Sequence, residues 1–537
     1  MQRRKVLNLR VQAGQGSGAG YSHEFMSRVK RFAASMATGY LAMAVNIAYT
    51  LLSIPLALYY LGKEEFGLWV LALQLSGYLG LIELGMGGAV ARILGDYKDH
   101  RDGGEYGSVL KTAIYVTSLQ GVLVLLAGLC LSPLLVFLMD VPSSLKNEFM
   151  GLLWGQSLFI GITIALKPLG APLWCHQRQD VTNYASMATF SATILTVWAG
   201  FMSGLGIWSM LLGGAVSLLL GHSIILLSVW KIGLLPVRGA WGKANKKHFY
   251  ELFSYGRDVF LVSLGTQLVG ASQIVIISRM ISLEMAAVWS IGTKFFVLAQ
   301  QAVFRLMDYS SPTLTEMYVR GELIRFEKRF RDIVAISAAA AALVGIVGTG
   351  INSEFVKIWT DGKIEWSYSY DVLLAFLLLT TTITRCHTAL PGLTKDIRNT
   401  RYIYLVEGVI FLGLVFFLVK NTGIIGVLLS SLLANIVCSG AYGVYRSSLL
   451  FRKDMFDVGI IWIKKPLYYY LVFMILMTGL MVFMRKPHGV SGLVLLGGTS
   501  IILGAILFWL LALQNEVRRE IWSRIRVAAT RIGKSIT

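Results

Sequence analysis

The chain has 537 residues, 55% of them hydrophobic and only 15% charged, with a mean hydropathy of +0.64. A soluble protein of this size carries roughly a quarter of its residues as charged side chains. Repeated apolar runs of about 20 residues instead define an all-α polytopic membrane protein. The 49 Lys and Arg against 29 Asp and Glu leave a formal +20. Because these charges sit between the apolar runs, topology accounts for them and no nucleic-acid partner is expected. Cys130, Cys175, Cys386 and Cys438 have no metal or disulfide spacing, and the seven His are dispersed, so no cofactor or metal is expected.

Residues 1–31 are basic and Gly/Ser-rich, and read as a flexible cytoplasmic tail before the first span, without a cleavable signal pattern. Hydropathy places spans at about 33–60, 65–91, 108–137, 149–172, 184–202, 205–229, 253–277, 285–309, 333–356, 370–392, 402–419, 423–445, 466–483 and 490–513. The fifth and sixth are divided at the tight Gly-rich connection Ser203–Gly206. With a cytoplasmic N-terminus, and with Lys111 and Arg257 at the span ends counted to the cytoplasmic side, 37 basic residues fall there, 8 on the opposite side and 4 within spans. That asymmetry predicts fourteen transmembrane helices with both ends in the cytoplasm.

The plan expected is an N-lobe of six helices (32–229), a basic linker (230–252), a C-lobe of six (253–448), two further helices (449–513) and a basic tail (514–537). Trp241, Phe249 and Tyr250 are candidate interfacial anchors in the linker. EFGLW at 65–69 and MAAVW at 285–289 form a faint repeat, suggesting lobes in a parallel pseudo-twofold arrangement.

The eighth span carries an unusual polar stripe. At about 100° per residue, Gln301, Arg305 and Asp308 lie within roughly 40° of Lys294 on the helix wheel. An uncompensated Lys or Arg at helix centre costs at least about 2.5 kcal/mol and normally faces a bundle interior or water-filled cavity. Lys294 lies near the midplane and Arg305 at the cytoplasmic end; Arg305 either lines a cavity, snorkels, or pairs with Asp308. Arg385 and Glu407 lie at one depth on adjacent helices, so they read as an ion pair or as a cavity-lining Arg385. The run TTTITRCHT from Thr380 to Thr388 offers a polar track or hydroxyls bonded to their own helix. Glu83 is a partner for Arg92 or Lys167, or a coupling carboxylate. Lys167 precedes Pro168 and Pro172, which are expected to kink or end their helix as a gate or a packing bend. Arg257 stands at the cytoplasmic entrance of the seventh span. Gln273 and Gln267 serve either a cavity or interhelical packing.

Residues 59–95, YYLGKEEFGLWVLALQLSGYLGLIELGMGGAVARILG, resemble the opening of flippases in the polysaccharide-transport branch of the multidrug/oligosaccharidyl-lipid/polysaccharide exporter superfamily. Gly62, Glu65, Phe66, Gly67, Trp69, Glu83, Gly85, Gly88 and Arg92 carry the resemblance. It implies a non-enzymatic transporter of the bacterial inner membrane. Such a protein translocates undecaprenyl-diphosphate-linked oligosaccharide from the cytoplasmic to the periplasmic leaflet by alternating access, with a proton or sodium as coupling ion. Membrane lipids and other polysaccharide assembly proteins are the partners it implies. Lys294, Arg305, Arg385, Arg257, Lys167 and Gln301 are then the substrate-binding candidates, and Glu83, Asp308, Glu407 and Arg92 the coupling or ion-pair candidates. The competing readings are a small-molecule cation antiporter of the same superfamily, whose site should be acidic and aromatic, and a membrane-embedded polymerase or glycosyltransferase, which would need catalytic groups in a sizeable loop.

Overall fold

The computed structural model describes residues 18–98, 100–176, 178–394, 399–483, 489–513 and 518–519. Among them the regular structure is entirely helical, as expected where lipid leaves backbone groups no solvent partner. Among the described residues thirteen helices are long and apolar enough to cross a membrane. The eighth expected crossing, 285–309, is the one not among them and is built differently. It comprises α10 (Leu283–Gly292) and α11 (Lys294–Val319), separated by Thr293. A count of fourteen requires reading these two as one crossing.

Contacts divide the chain into two compact units that interleave segments, whereas the expected lobes follow chain order. The first contains the chain through Ser53, Met86–Leu125 and Leu158–Gly256. Helix α1 (Gly18–Tyr60) begins well inside the segment expected as a flexible tail, so residues 18–31 are helical. Most of the expected C-terminal tail lies outside the described residues. The core of this unit packs Met86, Val90 and Leu94 of α3 (Met86–Leu94) against Tyr106 and Leu110 of α4 (Glu105–Leu138). Helix α5 (Lys146–Cys175) runs through Pro168 and Pro172 and ends three residues beyond the second. The expected division is real: α6 (Gln179–Met202) ends before Ser203, and α7 (Trp208–Ile232) starts after a turn through Gly204 and Gly206.

The basic linker is fastened down. Tyr106 Oη donates to Leu234 O at 2.9 Å, and Trp241 packs on the core, so Trp241 is not an exposed anchor. Asn245 Oδ1 accepts from His248 N at 2.8 Å, an N-cap interaction that starts α8 (Lys246–Gly270). The His248 ring, fully buried, reaches Glu105 at 2.8 Å. Phe249 and Tyr250 are exposed.

The second unit contains Ile54–Gly85, Leu126–Ser157 and the chain from Arg257 onward. Its first long helix, α2 (Lys63–Leu79), passes into a 3-10 turn at Gly80–Glu83 and stops at Leu84 and Gly85, both with positive φ (52° and 70°). Glycine takes that conformation at no steric penalty; leucine does not. The expected second span is therefore broken at the resemblance's Glu83–Gly85. A Cβ on Gly67 would lie 2.2 Å from Leu283 O, so α2 and the start of α10 touch backbone to side-chain-free backbone. The two faintly repeated stretches thus pack against each other.

The unit continues with α9 (Ser272–Met280), α12 (Leu323–Trp359), α13 (Tyr368–Thr394), α14 (Thr400–Thr422) and α15 (Ile424–Asn435). After a π-turn at Ile436–Gly440 come α16 (Ala441–Phe451), α17 (Lys464–Phe483) and α18 (Gly489–Leu507). Helix α12 has 37 residues, about 55 Å at 1.5 Å per residue, against an apolar bilayer core of about 30 Å. Its charged first turns therefore extend beyond the hydrocarbon.

Candidate functional site

A cavity of about 500 Å³ opens within the second unit. Its walls come from α8, α9, α10, α11, α13, α14 and α15, with Gln74 from α2. Close helix approach shapes it: a Cβ on Gly265 would lie 2.3 Å from the Tyr404 backbone, and one on Gly408 would lie 2.7 Å from Leu268 Cβ. These glycines bring α8 and α14 together, placing Tyr404 and Glu407 on the wall.

Lys294, the first residue of α11, is the one cationic side chain in the described lining. Its Nζ makes no hydrogen bond or ion pair within the described residues. Thr293 Oγ1 donates to Trp289 O at 2.7 Å, and Thr293 N donates to the same carbonyl at 3.1 Å. The backbone bond reaches four residues back, so the helical ladder carries through Thr293, where φ −82° and ψ −8° mark the local unwinding between α10 and α11 that leads directly into Lys294.

Glu407 is the one acidic residue of the lining and is 6% exposed. Its depth matches Arg385, which leaves an ion pair or a cavity-lining Arg385 as the expectations. In the structure Arg385 is not its partner: its Oε2 accepts from Ser439 N at 3.2 Å and its Oε1 from Asn435 Nδ2 at 3.5 Å. The physical reason is the π-turn: Ser439 N is released from the regular helical ladder, and the carboxylate supplies its acceptor. Asn435 Oδ1 accepts in turn from Thr384 Oγ1 at 3.1 Å. Around this centre, Gln273 Nε2 donates to Ser431 Oγ at 3.0 Å and Gln300 Nε2 to Thr381 Oγ1 at 3.2 Å.

Arg385 bonds Asp308 at 3.0 Å, both about half exposed, and lies over the Phe304 ring at 5.8 Å. Arg305 donates to Tyr309 Oη at 3.0 Å. These residues form a second cluster, centred on α11 about 16 Å along the axis from Lys294 at 1.5 Å per residue. The expected stripe is therefore two separate groups, and neither Arg305 nor Arg385 lines the described cavity. Gln301 is exposed and also absent from that lining, whereas its neighbour Gln300 belongs to it. A shift of one residue is about 100° of helix rotation.

Arg257 lies 3.6 Å from Asp258, which also accepts from Arg401. Lys167 is exposed on α5, and Arg92 bonds Asp96 at 2.7 Å on the surface of the first unit. Glu83 is half-buried where the second span breaks. The hydroxyls of Thr380, Thr381, Thr382 and Thr388 donate to carbonyls of their own helix, and His387 is buried against Ser447 at 2.7 Å. Only Thr381 of the expected polar track lines the cavity. Asn435, Ser431, Gln300 and Trp289 escaped sequence reasoning because polar or aromatic residues in spans usually serve helix packing. The signal available for Asn435 was its depth in an otherwise apolar helix.

Broken helices, a mixed-polarity cavity and thirteen candidate crossings define a polytopic membrane protein with an architecture suited to transport. The sequence model described as polysaccharide biosynthesis protein matches residues 35–317, more than half of the chain. The chain belongs to this polysaccharide biosynthesis protein family. No curated protein matches it. Among solved structures, it is similar to an inward-facing multidrug resistance MATE family transporter of the MOP superfamily, with TM-score 0.64 and 13% identity over 75% of this chain and 96% of that one. It is similar to the lipid II flippase MurJ in its inward closed conformation, with TM-score 0.58 and 13% identity over 88% and 98%. A MOP superfamily transporter from Pyrococcus furiosus, described by a binding pocket of reverse polarity, has TM-score 0.55 and 13% identity over 79% and 97%. At these identities the likeness establishes the shared fold.

Proposed function

We propose that the protein translocates an undecaprenyl-diphosphate-linked oligosaccharide from the cytoplasmic to the periplasmic leaflet of the bacterial inner membrane. The observation that carries this reading is Lys294: a cation without a partner among the described residues, on the wall of a cavity in a polysaccharide biosynthesis protein. A lone ammonium in a span is costly, by at least about 2.5 kcal/mol. A phosphate oxygen at 4 Å would return about 4 kcal/mol at an effective dielectric of 20. Lysine suits a transient contact, because it acts as a point charge without a fixed fork geometry.

In this reading Lys294 receives the diphosphate while Gln300, Gln273 and Asn435 offer polar partners within the same cavity. Arg305 on α11, with the Arg385–Asp308 pair that joins α13 to α11, forms an earlier station toward the cytoplasmic side. Arg257 and Lys167 assist recruitment. Glu407 is the candidate carboxylate for a proton or sodium gradient, and Glu83 the second. Two six-helix lobes, 32–229 and 253–448, alternate access in a parallel pseudo-twofold arrangement, with the helices of 449–513 added outside them. Both termini are cytoplasmic, and partners in polysaccharide assembly supply and remove the substrate.

The test is protein-dependent movement of a lipid-linked glycan across proteoliposomes, read by accessibility to an external lectin. Acceleration over protein-free vesicles supports the proposal; no acceleration opposes it. A second reading, export of an organic cation, draws on Glu407, Tyr404 and Trp289 in the same lining. Ethidium accumulation in the same vesicles, without glycan movement, would select that reading.

A further inference from the structure

A second cavity, of about 590 Å³, lies wholly in the second unit between the end of α12, the connection before α13 and the end of α17. Its polarity is graded along the helix axes. The ionic groups Glu354, Lys357 and Glu365 stand in the last turns of α12 and in the connection. Thr349 and Gly350 stand about 12 Å deeper at 1.5 Å per residue, facing Thr478 and Met481 of α17.

The hydroxyls in the wall are already used. Thr349 Oγ1 donates to Ile346 O at 2.7 Å, Thr478 Oγ1 to Met474 O at 2.9 Å, and Ser353 Oγ to Asp371 Oδ2 at 2.9 Å. The deep wall consequently presents methyl and methylene groups. At the mouth, Lys357 and Glu365 are exposed, and their side chains have no hydrogen bond or ion pair within the described residues. Glu354 has one oxygen engaged by Gly489 N at 3.2 Å. The Trp366 Nε1–H is committed to Asp371 at 2.7 Å, leaving its ring, with that of exposed Tyr368, as the aromatic part of the mouth.

We propose that this cavity is a binding site for a zwitterionic phospholipid bearing a primary ammonium, with its phosphate on Lys357, its ammonium at Glu365 and the Tyr368 ring, and its acyl stem along Gly350 and Met481. One free cation, one free carboxylate and aromatic rings complement a headgroup that carries both charges. An anionic headgroup would face two carboxylates with a single ammonium to hold it. A soluble sugar would leave the apolar deep wall uncovered. The span-end position sets the headgroup at the interface and the chain toward the hydrocarbon.

The experiment offers the purified full chain equal amounts of phosphatidylethanolamine and phosphatidylglycerol with matched acyl chains, and counts retained lipid by native mass spectrometry. The expected result is retention of phosphatidylethanolamine at least fivefold above phosphatidylglycerol. Glu365→Gln and Lys357→Gln should each reduce that retention at least fivefold while the protein stays monodisperse. Both residues are exposed, and Lys357→Arg, which keeps the charge, should retain the lipid. Equal retention of the two lipids, or retention unchanged in both neutralised variants, overturns the proposal. Displacement by a soluble disaccharide also overturns it and assigns the cavity to glycan.

Discussion

Replacing Asp371 by alanine removes the acceptor shared by three donors in a buried part of the second unit. Asn352 Nδ2 and Trp366 Nε1 each lie 2.7 Å from Oδ1, and Ser353 Oγ lies 2.9 Å from Oδ2. Asp371 and Asn352 are fully buried. Hydrogen bonds to a charged group contribute about 1.5–3 kcal/mol each. Sharing one carboxylate makes them non-additive, so the expected loss is about 3–5 kcal/mol, the range for breaking a buried charged network. Asp371→Asn keeps one carbonyl acceptor and should lose only about 1–3 kcal/mol. Unfolding by SDS titration in mixed micelles, read by tryptophan fluorescence, measures both. The network also reaches the main cavity, because Asn352 Nδ2 donates to Gly292 O at 2.9 Å, two residues before Lys294. Asp371→Ala should therefore lower glycan translocation per folded molecule as well as stability. Equal stability of wild type and Asp371→Ala, within about 0.5 kcal/mol, would refute the reasoning.

Other substitutions separate the remaining contacts. Glu407→Ala strands the Ser439 N–H freed by the π-turn and should cost about 1–3 kcal/mol in the same titration, whereas Glu407→Gln, which keeps an acceptor, should cost less than half as much. The Arg385–Asp308 pair is half exposed, so Arg385→Ala should change stability by less than about 1 kcal/mol; a larger change would show that the pair is buried in the working protein. Gly67→Val drives a side chain into Leu283 O, 2.2 Å from the ideal Cβ, and should destabilise by about 3 kcal/mol or more, seen as loss of monodisperse protein on size exclusion.

Much of the architecture was legible because hydropathy and charge alternation act over whole spans. The α6–α7 boundary falls where the Gly-rich turn indicated, despite a connection of only a few residues. Hydropathy could not see the break at Leu84–Gly85 or the joint at Thr293, since neither alters the apolar content of its neighbourhood. Lys294 was legible as a cavity residue because its burial in an apolar span demanded an explanation. Its expected companions were not: a helix wheel assigns directions along one helix, whereas partners depend on which helices lie opposite. Arg385 and Glu407 match in depth, yet Asp308 reaches Arg385 and the π-turn engages Glu407. The place of Gln300 rather than Gln301 on the wall is a local rotation of the same kind.

The central claim is that Lys294 supports passage of a diphosphate headgroup. Its most direct test is translocation of lipid-linked glycan in proteoliposomes containing equal amounts of folded wild type, Lys294→Met or Lys294→Arg, at limiting substrate. Losing an interaction of about 1.4 kcal/mol or more corresponds to at least a tenfold lower rate, which is predicted for Lys294→Met, with partial recovery for Lys294→Arg. Wild-type translocation by Lys294→Met would contradict the account.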